Sequence, residues 1–399
     1  MASTADRLRS SKATWLCVAG LLGMIVLAVS ADQLFRIPGG RQPAILISVM
    51  RNRAVIMLSQ TYNYYDVVLE KQFAPKMQFS LSHPFQLYRN TDNAPNPHKH
   101  VIDSHDFREW RMAPNLTWEV AGVTTNSLGR PDVERPVLKP AHTRRIALLG
   151  DSLASGFLIP PQSTLGPKLE QWLNTAKPAG PDERYEVDNF ACPAYLLPQI
   201  LDTAVEDVPP YKPDVYLVDL SERSVFREWD TQLVDIIQKG IDPKYDFLRP
   251  IFQQAGVSSH DSSITLHTKL APYRIPVLRG TLLALKAHVA KQGASLVLLL
   301  FPSLEPGDLS RRRIYAARQA YEGLDIPIID LTDTFDGYAN KRPLLAAPDG
   351  PSQPDVHLND HAYSLAVTAF DRRLREQPKT WAALTGSDLP ETTSKSDQQ

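Results

Sequence analysis

The chain has 399 residues, 43% hydrophobic and 22% charged, with a formal net charge of −1. That balance fits one large globular domain with additions, or two domains, and excludes a disordered chain. No basic stripe marks a nucleic-acid binder, and the two cysteines, Cys17 and Cys192, supply neither a disulfide framework nor a cysteine zinc site.

The N-terminus sets the compartment. Arg7, Arg9 and Lys12 precede an apolar run over residues 13–29. Two readings stand: a signal peptide cleaved near Ser30, or an uncleaved anchor slightly short of the ~20 residues that span a bilayer. The anchor is favoured. Both readings keep the basic flank in the cytoplasm and export the rest, so residues 1–37 are expected to be flank and membrane segment. The expected location is the cytoplasmic membrane, single-pass with the C-terminal domain outside, or secretion after cleavage. Residues 38–143 mix short apolar runs with a Pro-, Asn- and His-rich stretch and read as a membrane-proximal extension. Trp110 and Trp118 imply that it packs against something. His98, His100 and His105 fit no compact metal-ligand spacing, so no metal is expected there.

After Pro140 the pattern becomes regular. Residues 145–149 (RIALL) form a short buried strand ending in Gly150, and a helical period follows over 165–173. Strands are expected at 185–189 and 214–220 (DVYLVDL). Residues 224–275 break the alternation and read as an insertion. A helix over 282–292 is stopped by Gly293. Then come a strand at 295–301, a basic helix at 309–321 with Arg311, Arg312 and Arg313 on a solvated face, a strand at 326–331 and a helix at 361–375. The tail, 377–399, is polar and expected to be loose. Strands alternating with helices predict a parallel sheet covered on both faces: a three-layer α/β/α domain, flavodoxin-like, over 144–376.

Two constellations carry chemistry. Gly150-Asp151-Ser152 directly follows the first strand of this domain, and ligands of open α/β sheets sit beyond the carboxyl ends of the strands. A serine hydroxyl needs a neighbouring base to act as a nucleophile. Asp355-Val356-His357-Leu358-Asn359, before the last helix, offers one. In an extended loop residues i and i+2 point the same way, so Asp355 can hold one ring nitrogen of His357 while the other faces Ser152. Plainer readings accompany each residue: Ser152 as a helix cap, His357 as a surface histidine, Asp355 as the cap of the last helix, although Asn359 and Asp360 are better placed for that. Glu222 and Arg223, at a strand end, read equally as a structural ion pair. No G-x-S-x-G elbow occurs, which disfavours an α/β-hydrolase. No cofactor-binding loop appears.

The stretch RIALLGDSLASG (145–156) resembles block I of the SGNH/GDSL hydrolase superfamily, and DVHLN (355–359) resembles its block V. Asn126-Ser127-Leu128-Gly129-Arg130 is similar to the lead-in of many bacterial members, so the resemblance runs over about 124–376. It implies an SGNH-like domain with Ser152 as nucleophile, His357 as base and Asp355 as the residue orienting the ring. It also implies an oxyanion hole from the Ser152 N–H, a block II glycine N–H and a block III asparagine. This chain departs from that pattern. Its block II stretch, 189–195, has no glycine, and Ala191 or Ala194 stands in if φ stays negative. Its block III offers Ser221-Glu222-Arg223-Ser224, with Arg223 in the place of the asparagine. Arg223 either turns toward Ser152 or is neutralised by Glu222 or Asp219; the second is expected. The Glu-Arg pair resembles that of SGNH-like polysaccharide O-acetyltransferases of the alginate type, in which the Asp-His pair precedes the serine instead of following it. The expected activity is a serine esterase or O-acyltransferase on acetyl or acyl esters of envelope or secreted polysaccharide. Its partners would be the acylated carbohydrate and proteins of acyl transfer or polysaccharide assembly. The competing expectation is a non-catalytic SGNH-like module that binds a glycan or an assembly partner. The missing glycine and asparagine motivate it, because each lost oxyanion donor typically costs 10²–10³ in rate.

Overall fold

A computed structural model of the chain describes residues 101–118, 123–176, 178, 180, 182–304, 308–346 and 357–389. The basic flank, the apolar run at 13–29 and Asp355 lie outside the described residues. Contacts divide the chain into two units, 1–63 and 64–399, and every described residue belongs to the second. No helix among the described residues is long and apolar enough to cross a membrane.

Two short antiparallel pairs come first: β1 (Val101–Asp103) with β2 (Trp110–Met112), and β3 (Thr117–Trp118) with β4 (Val123–Thr124). The segment carrying them is joined to the main core. Phe107, Trp110, Met112 and Leu116 are buried in the same cluster as one face of the large sheet. The Trp110 ring meets Tyr195 edge-on, and the Tyr195 hydroxyl donates to the Trp110 carbonyl at 2.6 Å.

The large sheet has five parallel strands: β5 (Thr143–Leu149), β6 (Arg184–Asn189), β7 (Val215–Leu220), β8 (Ser295–Leu300) and β9 (Ile328–Asp330). Their spatial order is β6-β5-β7-β8-β9. Successive side chains of a strand face opposite ways, and β5 shows the consequence. Ile146 and Leu148 enter one apolar cluster while Ala147 and Leu149 enter the other. Strands buried on both faces are mostly apolar, which is why β7 and β8 read as near-continuous runs, whereas β6 carries the buried Glu186 and Asp188. Helices α1 (Ser152–Ser155) and α2 (Leu165–Ala176) follow β5, and α3 (Leu197–Glu206) follows β6. The β7 to β8 crossover holds a π-helical turn (Arg223–Arg227) and helices α4 (Thr231–Gln238), α5 (Leu248–Ala255), α6 (Ser263–Leu270) and α7 (Arg274–Lys291). Then come α8 (Leu309–Ala316), α9 (Asp360–Arg375) and α10 (Pro378–Thr385). Core residues of α3 and α7 lie in one cluster and those of α2, α9 and α10 in the other, so the fold has three layers.

Several boundaries differ from the sequence reading, three of them in ways that matter to packing. Helix α7 begins at Arg274, eight residues before the expected start, because Val277, Leu278 and Thr281 extend its buried stripe. Helix α8 stops at Ala316 and passes into a 3₁₀ turn, Arg318–Ala320. The polar tail is not loose at its beginning: α10 starts with Pro378 at a first-turn position and buries Trp381 and Leu384.

Candidate active site

The strand order reverses between β5 and β7, since the chain leaves β5 to one side for β6 and returns to the other side for β7. Ligands of open α/β sheets bind at such a switch, beyond the carboxyl ends of the strands. Ser152 stands there, three residues beyond the end of β5 and at the start of α1. The turn is locally determined. Asp151 caps the helix by accepting from the Leu153 N–H at 2.9 Å. Gly156 ends it with φ of +77°, and a β-carbon there would lie 2.0 Å from the Thr164 side chain, so no other residue fits.

His357 reaches the same place from the other end of the chain. Its Nε2 lies 2.9 Å from Ser152 Oγ. The imidazole is buried, with the Phe157 ring centroid 5.3 Å away, while Ser152 is only half-buried. Its backbone is pinned, because the His357 carbonyl accepts from the Ala346 N–H at 2.9 Å and Leu358 bridges to Leu345. Asn359 caps α9, accepting from the Ala362 N–H at 3.0 Å and donating to the Pro343 carbonyl at 2.8 Å. From α9 the Tyr363 hydroxyl donates to the Leu153 carbonyl at 2.6 Å, tying the helix after His357 to the helix that begins with Ser152.

The block II segment is brought alongside by an extension of the sheet ladder. Phe190 N–H donates to the Leu148 carbonyl at 2.8 Å and Cys192 N–H to the Gly150 carbonyl at 3.1 Å. Here the two candidate alanines separate. The Ala191 N–H donates to Asn189 Oδ1 at 3.0 Å and is not available to an oxyanion. Ala194 does not keep a negative φ; it sits at +68°. With Pro193 before it and the Tyr195 N–H bonded to the Cys192 carbonyl at 3.1 Å, it occupies the turn position where glycine is usual. The Ser152 and Ala194 N–H groups have no acceptor among the described residues.

Arg223 is neutralised, but by neither expected partner. Its Nη2 pairs with Glu228 Oε2 at 2.6 Å, and its Nη1 is buried without an acceptor. Glu222 is taken by Arg227 at 2.8 Å and Arg313 at 3.3 Å. The cause is the π-helical turn after β7: the Glu228 N–H bonds to the Arg223 carbonyl, which brings residue i+5 over residue i. The lead-in at 126–130 forms a tight turn in which Asn126 Oδ1 accepts from the Leu128 and Arg130 N–H groups, both at 3.0 Å. Arg130 then stacks over Phe190 and Tyr211, 4.0 and 4.3 Å from the ring centroids.

Phe157 and Tyr363 also surround the nucleophile turn and carry no signal in the sequence, and Ser221 and Asp219, named above only in connection with Arg223, lie there too. Asp219 alone left a signal there, a charge in the middle of an apolar strand.

No protein-family model matches the chain, and no curated protein sequence matches it. Among solved structures, it is similar to TesA, at 14% identity over 58% of this chain and 99% of that one, with a TM-score of 0.37. It is similar to a lipase/acylhydrolase from Enterococcus faecalis, at 16% identity over 58% and 95%, TM-score 0.37. It is also similar to Axe2, an acetylxylan esterase from Geobacillus stearothermophilus, at 15% identity over 58% and 93%, TM-score 0.37.

Proposed function

We propose that the protein is a serine acyl-ester hydrolase of the SGNH type, with Ser152 as nucleophile and His357 as base. The observation that carries this reading is the 2.9 Å approach of His357 Nε2 to Ser152 Oγ, made by residues 205 positions apart at the carboxyl end of the sheet. In the reaction, Nε2 accepts the Ser152 proton as Oγ attacks the ester carbonyl. The developing oxyanion is held by the Ser152 and Ala194 N–H groups, which have no other acceptor among the described residues. The imidazolium returns its proton to the departing alkoxide, leaving an acyl-serine and a free alcohol. Water, deprotonated by His357, resolves the acyl-serine to the acid. Asp355 is assigned to the second ring nitrogen on its sequence position. Arg223 is left outside the hole because Glu228 holds it.

We place the substrate among acyl esters of envelope or secreted carbohydrate. The basic flank and apolar run at the N-terminus support this, because they predict that the domain lies outside the cytoplasmic membrane. If a sugar hydroxyl replaces water in the last step, the same site transfers the acyl group. A periplasm-only reporter fused after residue 143 should be active and a cytoplasm-only one silent. The reverse pattern removes the envelope substrate.

The chemistry itself is tested with a fluorophosphonate probe on the full chain. Labelling should occur at Ser152, and Ser152→Ala should abolish it while the melting temperature stays within a degree or two of the parent. Hydrolysis of an aryl acetate should fall by about 10⁴-fold or more in the same variant. A folded parent protein that neither labels nor hydrolyses would favour the glycan- or partner-binding module instead.

A further inference from the structure

The turn that carries Ser152 rests on a second buried acid. Asp219 belongs to β7, where it is the one charged residue, and is 1% exposed. A β-carbon on Gly150 would stand 2.7 Å from the Asp219 Cβ and 3.0 Å from its Oδ2, so the chain entering the Ser152 turn lies directly on this carboxyl. Asp151, 2% exposed, is fixed beside it. Its Oδ1 accepts from the Leu153 N–H at 2.9 Å, and its Oδ2 accepts from the Ser221 hydroxyl at 2.5 Å. The Asp219 carboxyl lies against the turn at Gly150 and Asp151, and both its oxygens are buried without a hydrogen-bond donor. Among the described residues no arginine, lysine or histidine pairs with either.

Two carboxylates in contact, away from water and from any cation, cannot both stay ionised. The donors decide which one keeps a proton. Asp151 already takes an N–H and an O–H. Neither Asp219 oxygen has a hydrogen-bond donor, so nothing beside it stabilises its charged form. Burial, then the neighbouring Asp151, pushes the Asp219 carboxyl well above the usual carboxylate range.

We infer that Asp219 is a positioning residue for the nucleophile: its protonated carboxyl donates to Asp151, and Asp151, so held, fixes the turn from Gly150 to Leu153 that aims Ser152 at His357. The inference rests on the serine-hydrolase reading above. A shift of about 1 Å at a reacting atom can cost 10²-fold in rate, so a turn held from behind by a single proton has a large lever on Ser152. The bland alternative is a buried acid merely tolerated by the fold, and the two differ in pH response. Gly150, Asp151 and Ala154 face Asp219 from the β5 side, Ser221 lies two residues further on its own strand, and Leu299 pairs in register from β8. Of these only Asp151 titrates. Loss of the shared proton at alkaline pH then places a second negative charge against Asp151 with nothing to offset it.

The test compares the full-length parent with Asp219→Asn, which keeps a donor and cannot ionise, and Asp219→Leu, which fills similar space without a donor. Difference infrared spectroscopy at neutral pH should show a protonated-carboxyl C=O band that Asp219→Asn removes. Fluorophosphonate labelling of Ser152 should fall on the alkaline side in the parent and stay level in Asp219→Asn, whose neutral-pH rate remains close to the parent's. Asp219→Leu should label about 10-fold more slowly or worse while still unfolding cooperatively. Absence of the infrared band overturns the proposal. So does an unchanged alkaline fall in Asp219→Asn, which decides the matter even if Asp219→Leu does not fold. A parent that is not labelled at all overturns the hydrolase reading together with this one. A labelled parent with unaffected variants overturns the positioning role alone.

Discussion

Two buried polar clusters flank the same strand, β5, and they are built on opposite plans. At its amino end Arg145 is fully buried and every one of its donors is used. Nε and Nη2 bind Glu186 at 3.0 and 2.7 Å, Nη1 donates to the Val137 and Tyr211 carbonyls, and Nη2 also donates to Pro136. Arg135 spans Asp132, Asp188 and Glu170 at 2.8 to 3.2 Å. This network staples residues 132–137 to β5 and β6. At the carboxyl end of the strand Asp219 is buried beside Asp151, which alone takes a serine hydroxyl, with no cation among the described residues. Buried acids with guanidinium partners fix a fold, whereas a buried acid pair without one must hold a proton. That proton sits one residue from the nucleophile. The amino end is not free of the same tension: burial pushes Asp188 up to about 7, because it meets Arg135 and Arg145 only at 3.1 and 3.4 Å and its oxygens accept no hydrogen bond.

Substitution of Arg145 should have the largest effect. Arg145→Met strips Glu186 of its main partner and leaves three carbonyls without a donor. Removing one member of a buried ion pair typically costs about 3–5 kcal/mol, and chemical denaturation should show a loss of that size. Labelling of Ser152 in the folded fraction should not change. A variant that stays stable but labels slowly would mean that the two ends are coupled and that the division drawn between them is wrong.

A third cluster sharpens the contrast through pH. Glu109 and Asp235, on α4, are both buried, and Lys239 binds Glu109 at 2.6 Å. Burial pushes Glu109 up to about 7 and Asp235 up to about 8; Lys239 pulls the other way in each case. Both acids therefore hold a proton in the folded state at a pH where the unfolded chain has lost it. Their contribution to stability is complete below the ordinary carboxylate range and is lost as pH rises through about 7 to 8. Unfolding free energy should accordingly decline from mildly acidic to mildly alkaline pH. Asp235→Asn, which has no proton to lose, should reduce that slope without abolishing it, since Glu109 and Asp188 still titrate. An identical slope in the variant would show that Asp235 is ionised throughout.

The sequence reveals these features unevenly, for physical reasons. Strands covered on both faces are apolar runs, so β5, β7 and β8 are visible at once. Ser152 and His357 are legible because each directly adjoins a regular element, after β5 and before α9. What stays hidden depends on backbone geometry that no local pattern encodes. The π-helical turn shifts the partner of Arg223 from Glu222 to Glu228. Asp219 looks like an interruption of an apolar strand until β5 is laid beside it. Helix α10 is too short for a periodic signal, although Trp381 and Leu384 stand three apart on one face.

The smallest expected effect is at Ala194, where the sequence offers alanine and the turn asks for glycine. Its φ of +68° costs an L-residue roughly 1–2 kcal/mol relative to the right-handed region. Glycine removes that strain but adds freedom to the unfolded chain, returning about 0.4–1 kcal/mol. Ala194→Gly should therefore stabilise the protein by about 0–1.5 kcal/mol. Ala194 packs beside the cluster that contains Tyr195. The alanine methyl restricts the backbone of the turn and so holds its N–H in one direction. If that N–H serves the oxyanion, Ala194→Gly should be slightly more stable and a few-fold slower in aryl acetate hydrolysis, with KM little changed. If the strain is incidental, the gain in stability comes with no loss of rate, and the oxyanion assignment of Ala194 loses its support.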